Sequence, residues 1–164
     1  MPKSAKSPIP EGFHTITPHL VIRGAAQAIE FYKKALGAQE ISRMAMPDGK
    51  IGHAELKIGD SVIFLADEMQ NPGNAKSPQS LGATTMTLNL YVPDVDATFK
   101  QAISAGGKET MPVADQFWGD RYGTFTDPFG HTWGVASRKE ELTKDEVDQR
   151  AKEFFASMAH RKTA

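Results

Sequence analysis

An internal repeat constrains the fold of this chain more than any other feature of its sequence. The stretch TPHLVIRGAAQAIEFYKKALGA, which begins at Thr17, aligns with TLNLYVPDVDATFKQAISAGGK, which begins at Thr87, at an offset of 70 residues. Further along, Gly59 matches Gly130 at an offset of 71. This nearly constant register indicates that one structural unit occurs twice.

Each copy predicts the same order of elements: a strand, a helix and three further strands. Apolar residues recur at helical spacing in each helix, and glycines follow the last apolar residues. Asp94 is suited to cap the second helix. The predicted strands are Thr15–Ile22, Glu40–Met46, Gly52–Ile58 and Ser61–Ala66 in the first copy, and Thr85–Val92, Glu109–Val113, Tyr122–Asp127 and Thr132–Ala136 in the second.

The predicted fold class is α+β, with tandem βαβββ modules forming curved mixed sheets and a C-terminal helix. The segments are a flexible tail (1–12), module 1 (13–66), a polar linker (67–82), module 2 (83–137) and a C-terminal amphipathic helix with its tail (138–164). Thr143 and Glu146 form a capping box for the last helix. Its apolar face, which we expect to be buried on the body or on a partner chain, comprises Val147, Ala151, Phe154, Phe155 and Met158.

Composition excludes several classes of function. The 164 residues carry a net charge of −1, so no strong field attracts nucleic acid or an anionic membrane. No apolar run approaches the roughly 20 residues of a membrane helix, and no signal peptide is recognisable. The chain contains no cysteine, which removes thiolate nucleophiles and disulfides. We therefore expect a cytoplasmic protein that binds neither nucleic acid nor membrane.

The segments AIEFYKKALGA and DPFGHTW, placed in a doubled βαβββ pattern, resemble the vicinal oxygen chelate superfamily of glyoxalases, bleomycin resistance proteins and extradiol dioxygenases. Within it, FLADE and FWGDRYG look most like PhnB-like or YdeN-like proteins. The resemblance covers residues 13–137. It implies the glyoxalase/bleomycin-resistance fold, a small-molecule ligand held in or between two cups, and a homodimer.

The resemblance also implies where a metal ion would be bound. Metal-dependent members take His, Glu or Gln ligands from the first and last strands of each module. Counting from the shared motifs places these positions at Thr17, Ile63, Thr87 and Gly134. None of the four supplies an imidazole or a carboxylate, so we predict no metal ion and no other cofactor. This argues against the metal-dependent glyoxalase, fosfomycin transferase and dioxygenase reactions.

A displaced metal site is the alternative. His19 lies on the same strand face as Thr17, and His53 and Glu55 share a face of another strand. A metal ion held there would support a lyase, isomerase or dioxygenase. The competing interpretation is a half-exposed strand, because His53 and Glu55 alternate with Ala54 and Leu56.

The segment ADQFWGDRYG predicts a pocket for a small, partly aromatic molecule. Phe117, Trp118 and Tyr122 are suited to stack on a flat ligand, and Asp120 and Arg121 to orient its polar end. The favoured function is therefore metal-free binding of such a molecule in a cup between the modules. In the alternative, Trp118 covers the sheet edge and Asp120 pairs with Arg121 in solvent.

The last predicted strand places Trp133 and Gly134 on opposite faces. If Gly134 faces the cup, Trp133 packs beneath the helices, and the space at Gly134 is free for a ligand or for a ring such as Trp118. The motif DPFG, which begins at Asp127, is typical of a tight turn. His131 is expected to bond nearby backbone in that turn.

Overall fold

The computed structural model describes residues 3–70 and 73–161. Parts of three predicted segments lie outside the described residues: 1–2 of the tail, 71–72 of the linker and 162–164 at the C-terminus. The elements are β1 (His19–Ile22), α1 (Ala25–Leu36), β2 (Gln39–Ala45), β3 (Ile51–Ile58), β4 (Ser61–Asp67), α2 (Pro78–Leu81), β5 (Thr87–Tyr91), α3 (Val95–Ser104), β6 (Lys108–Asp115), β7 (Asp120–Thr126), β8 (Thr132–Arg138) and α4 (Lys144–Arg161).

The strands form two four-stranded mixed sheets with the same topology. Their orders are β1-β4-β3-β2 and β5-β8-β7-β6. In each sheet the first strand runs parallel to the last strand of its module, and the other pairs are antiparallel. The tandem βαβββ fold with a C-terminal helix is therefore confirmed. Strands β1 and β5 each end a sheet, so one backbone edge of each has no strand partner within the described chain.

One hydrophobic core joins the two sheets through their helices. Helix α1 presents Ile29, Phe31 and Tyr32 to this core, and the second module contributes Phe129 and Trp133. Trp133 is only 1% exposed and therefore packs beneath the helices, as the alternation of its strand predicts. The face of each sheet that points away from the core is left for other contacts.

A buried carboxylate links the two modules within this core. Asp127 Oδ1 accepts hydrogen bonds from the backbone N–H groups of Phe129 and His131, at 2.9 and 3.0 Å. Its Oδ2 accepts from Tyr32 Oη at 2.7 Å and from Trp133 Nε1 at 2.9 Å. Burial, followed by the neighbouring Asp127 charge, raises the pKa of Tyr32 well above its ordinary value. The DPFG turn that begins at Asp127 is therefore also the point at which module 2 is hydrogen-bonded to α1 of module 1.

Several predicted elements differ from the structure for local reasons. Strand β1 begins at His19 rather than at Thr15, because Pro18 has no N–H to donate; its carbonyl still accepts from the Phe64 amide. The predicted linker contains α2, for which Ser77 is the N-cap and accepts from the Ser80 amide. The His131 side chain contacts a distant strand rather than only its own turn, because its Nε2 lies 3.2 Å from the carbonyl oxygen of Val21 in β1.

Helix α4 begins at the predicted capping box but does not bury its apolar face. Glu146 accepts from the Thr143 amide at 2.8 Å, which satisfies one of the free donors at the start of the helix. However, Phe154, Phe155 and Met158 remain 40%, 59% and 45% exposed. The expected burial on the body is therefore wrong for these side chains. Among the described residues, no helix is both long enough and apolar enough for a membrane span.

The Tyr32–Asp127 hydrogen bond is expected to contribute strongly to stability. Tyr32→Phe removes one donor from a buried carboxylate, which should lower the free energy of unfolding by about 1.5–3 kcal/mol. Urea unfolding followed by circular dichroism measures this loss.

Tyr91→Phe is the matched control. Tyr91 also donates to a carboxylate at 2.7 Å, from its Oη to Oδ2 of Asp120, but the Tyr91 residue is 70% exposed. The Tyr91–Asp120 hydrogen bond is only partly buried, whereas the Tyr32–Asp127 bond is fully buried, so water can replace the lost donor of Tyr91 and we expect a loss below about 1 kcal/mol. Equal losses in the two variants would contradict the role assigned to Asp127.

Candidate functional site

The candidate site residues occupy the two sheet faces that point away from the helices. We call these the first outer face, which carries His19, His53, Glu55 and Phe64, and the second outer face, which carries Asn89, Tyr91, Asp120, Tyr122 and Gly134. Strand pairing places His19 beside Phe64 and Asn89 beside Gly134. His19 and Asn89 are equivalent in the repeat, so Phe64 is the structural counterpart of Gly134.

This register corrects one of the positions obtained by counting along the sequence. Counting from Gly59 gives Ile63, but Ile63 points into the hydrophobic core, where it is 5% exposed. The error is one residue, and one residue reverses the face of a strand. Phe64 supplies no metal-binding atom either. Within residues 3–70 and 73–161, no three His, Cys, Asp or Glu side chains are grouped so that they could hold a metal ion. The residues at these positions therefore do not fit the metal site of metal-dependent relatives.

The first outer face brings together the two imidazoles and the carboxylate of the predicted displaced site. His53 Nε2 lies 3.4 Å from Glu55 Oε1, and the rings of His19 and His53 are 6.3 Å apart, edge to face. Phe64 contacts both imidazoles, with ring centroids 4.8 Å from His53 and 6.2 Å from His19. Phe13 covers Phe64 at 5.8 Å. The result is a half-exposed aromatic surface that carries two imidazoles and a carboxylate.

Burial, and next the nearby His53, lower the pKa of His19 below its ordinary value of 6.5. The unfolded chain then binds this proton more readily than the folded chain. As pH falls below about 6.5 and through the lower pKa of the folded state, His19 therefore destabilises the fold. At neutral pH the His19 ring is uncharged and can accept a hydrogen bond.

The second outer face is built around the carboxylate of Asp120. Asp120 is 7% exposed, and its Oδ2 accepts from Tyr91 Oη at 2.7 Å and from Trp118 Nε1 at 3.1 Å. The hydrogen bond to Asp120, with some burial, raises the pKa of Tyr91. Trp118 also packs edge to face on Tyr122, with ring centroids 5.9 Å apart. Asp120 thus fixes two aromatic rings in place.

The space beside Gly134 is filled by side chains of the same face. Tyr122 Oη donates to Asn89 Oδ1 at 3.1 Å, directly over the glycine. A Cβ atom at position 134 would lie 2.5 Å from Tyr122 Oη and would also overlap Asn89 Oδ1. The ring that occupies this space is Tyr122, where the sequence suggested Trp118. Burial raises the pKa of Tyr122, so its hydroxyl remains a donor at neutral pH.

Arg121 does not share a contact with Asp120. Its guanidinium forms ion pairs with Asp96 at 2.7 Å and with Asp115 at 3.1 Å, which link β7 to α3 and β6. These contacts raise the pKa of Arg121 and lower that of Asp96. The alternative in which Asp120 pairs with Arg121 in solvent is therefore wrong, because adjacent strand residues point in opposite directions.

Phe117 faces α4 instead of standing free beside Trp118. Its ring centroid lies 5.0 Å from that of Trp118, 5.0 Å from Phe154 and 5.8 Å from Phe155. The aromatic groups of the second outer face therefore continue into the C-terminal helix.

A cavity of about 870 Å³ lies between the modules, beside the free edge of β5. Pro18 and Ile63 line it from module 1, and Asn89 and Tyr91 line it from module 2. The cavity thus borders the second outer face, and its volume is in the range of small-molecule sites.

Sequence reasoning missed three residues of these faces: Phe64, Asn89 and Tyr91. A signal for Asn89 and Tyr91 was present, because they alternate along the strand equivalent to the one that carries His19. Their partners were not predictable, since the pairing of β5 with β8 brings together residues that are distant in the chain.

Three comparisons place this fold among known proteins. An uncharacterized protein of Mycobacterium bovis is 44% identical over 134 residues, which are 80% of this chain and 88% of that protein. The crystal structure of an Arabidopsis thaliana gene product matches with a TM-score of 0.62 and 27% identity, over 76% of this chain and 98% of that one. The fosfomycin resistance protein FosX of Listeria monocytogenes, whose structure contains Mn(II) and sulfate, matches with a TM-score of 0.58 over 84% of this chain and 97% of that one. Its 15% identity shows the shared fold alone.

The family model agrees with the fold and covers both modules. It matches residues 12–135, from the segment before β1 into β8, and leaves α4 outside the match. This chain belongs to the Glyoxalase/Bleomycin resistance protein/Dioxygenase superfamily.

Proposed function

We propose that this chain binds a small, partly aromatic molecule without a metal ion. The ligand extends from the cavity between the modules, past Asn89 and Tyr91 at the edge of β5, onto the second outer face, where Trp118 and Tyr122 lie outside the cavity lining. Trp118 and Tyr122 contact its flat part, while Asn89 and Tyr91 contact its polar part. The first outer face, with His19, His53 and Glu55, offers a second set of candidate ligand contacts.

The observation that carries this proposal is the filled space at Gly134. Metal-dependent members of the superfamily would place a carboxylate here, on the face of the sheet away from the helices. In this chain the Tyr122–Asn89 hydrogen bond occupies that space, and a side chain at Gly134 would collide with both partners. The position is therefore adapted to a neutral, hydrogen-bonded aromatic surface.

The polar groups around this surface favour an uncharged or weakly polar ligand. Asp120 already accepts hydrogen bonds from Tyr91 and Trp118. Because this carboxylate is buried, placing a negatively charged ligand group beside it would cost binding free energy. Arg121 is held by Asp96 and Asp115 and is a poor partner for a ligand carboxylate. Stacking and single hydrogen bonds, rather than ion pairing, would supply the affinity.

We also propose that the protein is a homodimer. The free edges of β1 and β5 present unpaired backbone groups. Ile16, three residues before β1, is 81% exposed, and Tyr91, the last residue of β5, is 70% exposed. A second copy along these edges would cover such apolar groups. It would also close the open side of the cavity.

The alternative is a metal-dependent lyase, isomerase or dioxygenase with a displaced site. His19, His53 and Glu55 on one aromatic face motivate it, although within residues 3–70 and 73–161 they are not grouped closely enough to hold a metal ion as they stand. It predicts about one metal ion per chain in protein purified without chelators, lost on His53→Ala and detected by elemental analysis. Absence of that ion would remove this alternative.

Adding a side chain at Gly134 should disrupt the packing of the second outer face. Gly134→Ala forces Tyr122 and Asn89 apart, and overpacking of this kind should lower the free energy of unfolding by about 1–3 kcal/mol. Gly52→Ala is the matched control, because the nearest atom to its added Cβ is Cγ of the flexible Met46 side chain, at 3.2 Å. Urea unfolding of both variants measures the difference, and equal losses would show that the space at Gly134 is not filled as described.

Ligand binding is tested with 1-naphthylamine, a flat, largely uncharged probe. Equilibrium dialysis should show binding by the wild type, and Trp118→Ala should weaken it about tenfold through the loss of stacking. Met44→Ala is the control, because Met44 is 61% exposed on β2 in the other module. The proposal fails if the wild type does not bind the probe, or if Trp118→Ala binds it as tightly as Met44→Ala does.

A further inference from the structure

Helix α4 carries an apolar surface that neither the superfamily fold nor the body of the chain explains. The helix spans Lys144–Arg161 and lies beyond residues 12–135, which match the family. Phe155 is its most exposed large apolar side chain, at 59%. Exposing such an apolar surface to water is unfavourable, so we expect this surface of α4 to contact another molecule.

This surface is continuous with the second outer face through a series of ring contacts. Tyr122 contacts Trp118 at 5.9 Å, and Trp118 contacts Phe117 at 5.0 Å. Phe117 in turn contacts Phe154 at 5.0 Å and Phe155 at 5.8 Å. The aromatic groups therefore run without interruption from Gly134 to the helix.

The orientation of α4 is fixed near the body by polar contacts at its start. The Arg150 guanidinium binds both carboxylate oxygens of Glu140, at 2.5 and 3.2 Å. The Glu140 backbone N–H in turn donates to the carbonyl of Gly119 at 3.0 Å, and Gly119 is next to Trp118 in the chain. Thr143 and Glu146 cap the first turn. These contacts tie the helix to the turn that carries Phe117 and Trp118.

We propose that Phe117, Phe154 and Phe155 form an aromatic wall that extends the ligand site, and that the ligand is an elongated aromatic molecule. This inference rests on the proposed function, because it adds a second, apolar subsite to the same site. The three side chains have no hydrogen-bonding atoms, so the part of the ligand that contacts them is apolar. The polar part stays with Asn89 and Tyr91. The chemical class is therefore a molecule with two linked ring systems and polar groups at one end only.

A second copy of this chain is the other possible occupant of the aromatic wall. The ring contacts favour the ligand, because they connect the wall to Trp118 and Tyr122 rather than to the free edge of β1 or β5. The two occupants can be distinguished by experiment. If the aromatic wall binds a second copy, a substitution that removes one of its rings changes the mass of the protein in solution.

The test compares two probes that differ by one ring. N-phenyl-1-naphthylamine is 1-naphthylamine with an added phenyl group on its nitrogen. In equilibrium dialysis, the wild type should bind the longer probe about tenfold or more tightly, since the added phenyl group removes apolar surface from water against the aromatic wall. Phe155→Ala should abolish this gain and leave the affinity for 1-naphthylamine unchanged, and Phe155→Tyr should retain most of it.

Circular dichroism and the mass in solution complete the test. Unchanged helix content in Phe155→Ala shows that α4 is intact. The inference is overturned if Phe155→Ala keeps the full gain for the longer probe, and the proposed function then stands. It is also overturned if Phe155→Ala converts a dimer to a monomer without loss of that gain, which assigns the wall to a second copy. If neither probe binds the wild type, the proposed function itself fails.

Discussion

The buried carboxylate of Asp127 is the interaction on which the rest of this structure depends. It holds the turn before β8, the indole of Trp133 and the hydroxyl of Tyr32 at the same time. A buried carboxylate is costly unless it is fully hydrogen-bonded, and these four donors meet that requirement. Because Tyr32 belongs to α1 and Trp133 to β8, the same group also sets how the two modules meet.

This anchoring determines what the second outer face can contain. With Trp133 held in the core by Asp127, the next residue in the strand must point away from the core. That residue is Gly134, and the space it leaves is filled by the hydrogen-bonded pair of Tyr122 and Asn89. A position at which the family resemblance predicts a metal ligand thus carries a neutral surface in this chain. Asp120 completes that surface by fixing Tyr91 and Trp118.

The two outer faces have diverged although they come from one repeated unit. His19 is equivalent to Asn89, and Phe64 is equivalent to Gly134. On the first face the imidazole of His19 lies beside the ring of Phe64, whereas on the second face the amide of Asn89 lies beside Gly134, which has no side chain. The first face therefore carries imidazoles beside an aromatic ring, whereas the second carries hydrogen-bond donors and aromatic rings. The ligand proposed for the second face needs only stacking and hydrogen bonds.

The sequence predicted the repeated fold because the repeat, the helical apolar spacing and the turn residues are local signals. It also predicted the inward direction of Trp133, which follows from alternation in a single strand. It did not predict that Tyr122 would meet Asn89, or that Arg121 would pair with Asp96, because those contacts depend on strand pairing and helix packing between distant segments. The position equivalent to Gly134 was predicted at Ile63 but lies at Phe64 for the same reason, because counting along the chain does not show which residues are paired between strands.

Affinity for an aromatic ligand before and after removal of metal ions tests the central claim most directly. Equilibrium dialysis with 1-naphthylamine should give the same dissociation constant for protein as purified and for protein treated with EDTA. A neutral surface of Trp118, Tyr122 and Asn89 requires no cation to bind the probe. Loss of binding after EDTA treatment, with recovery when Zn²⁺ or Mn²⁺ is added back, would contradict a metal-free site.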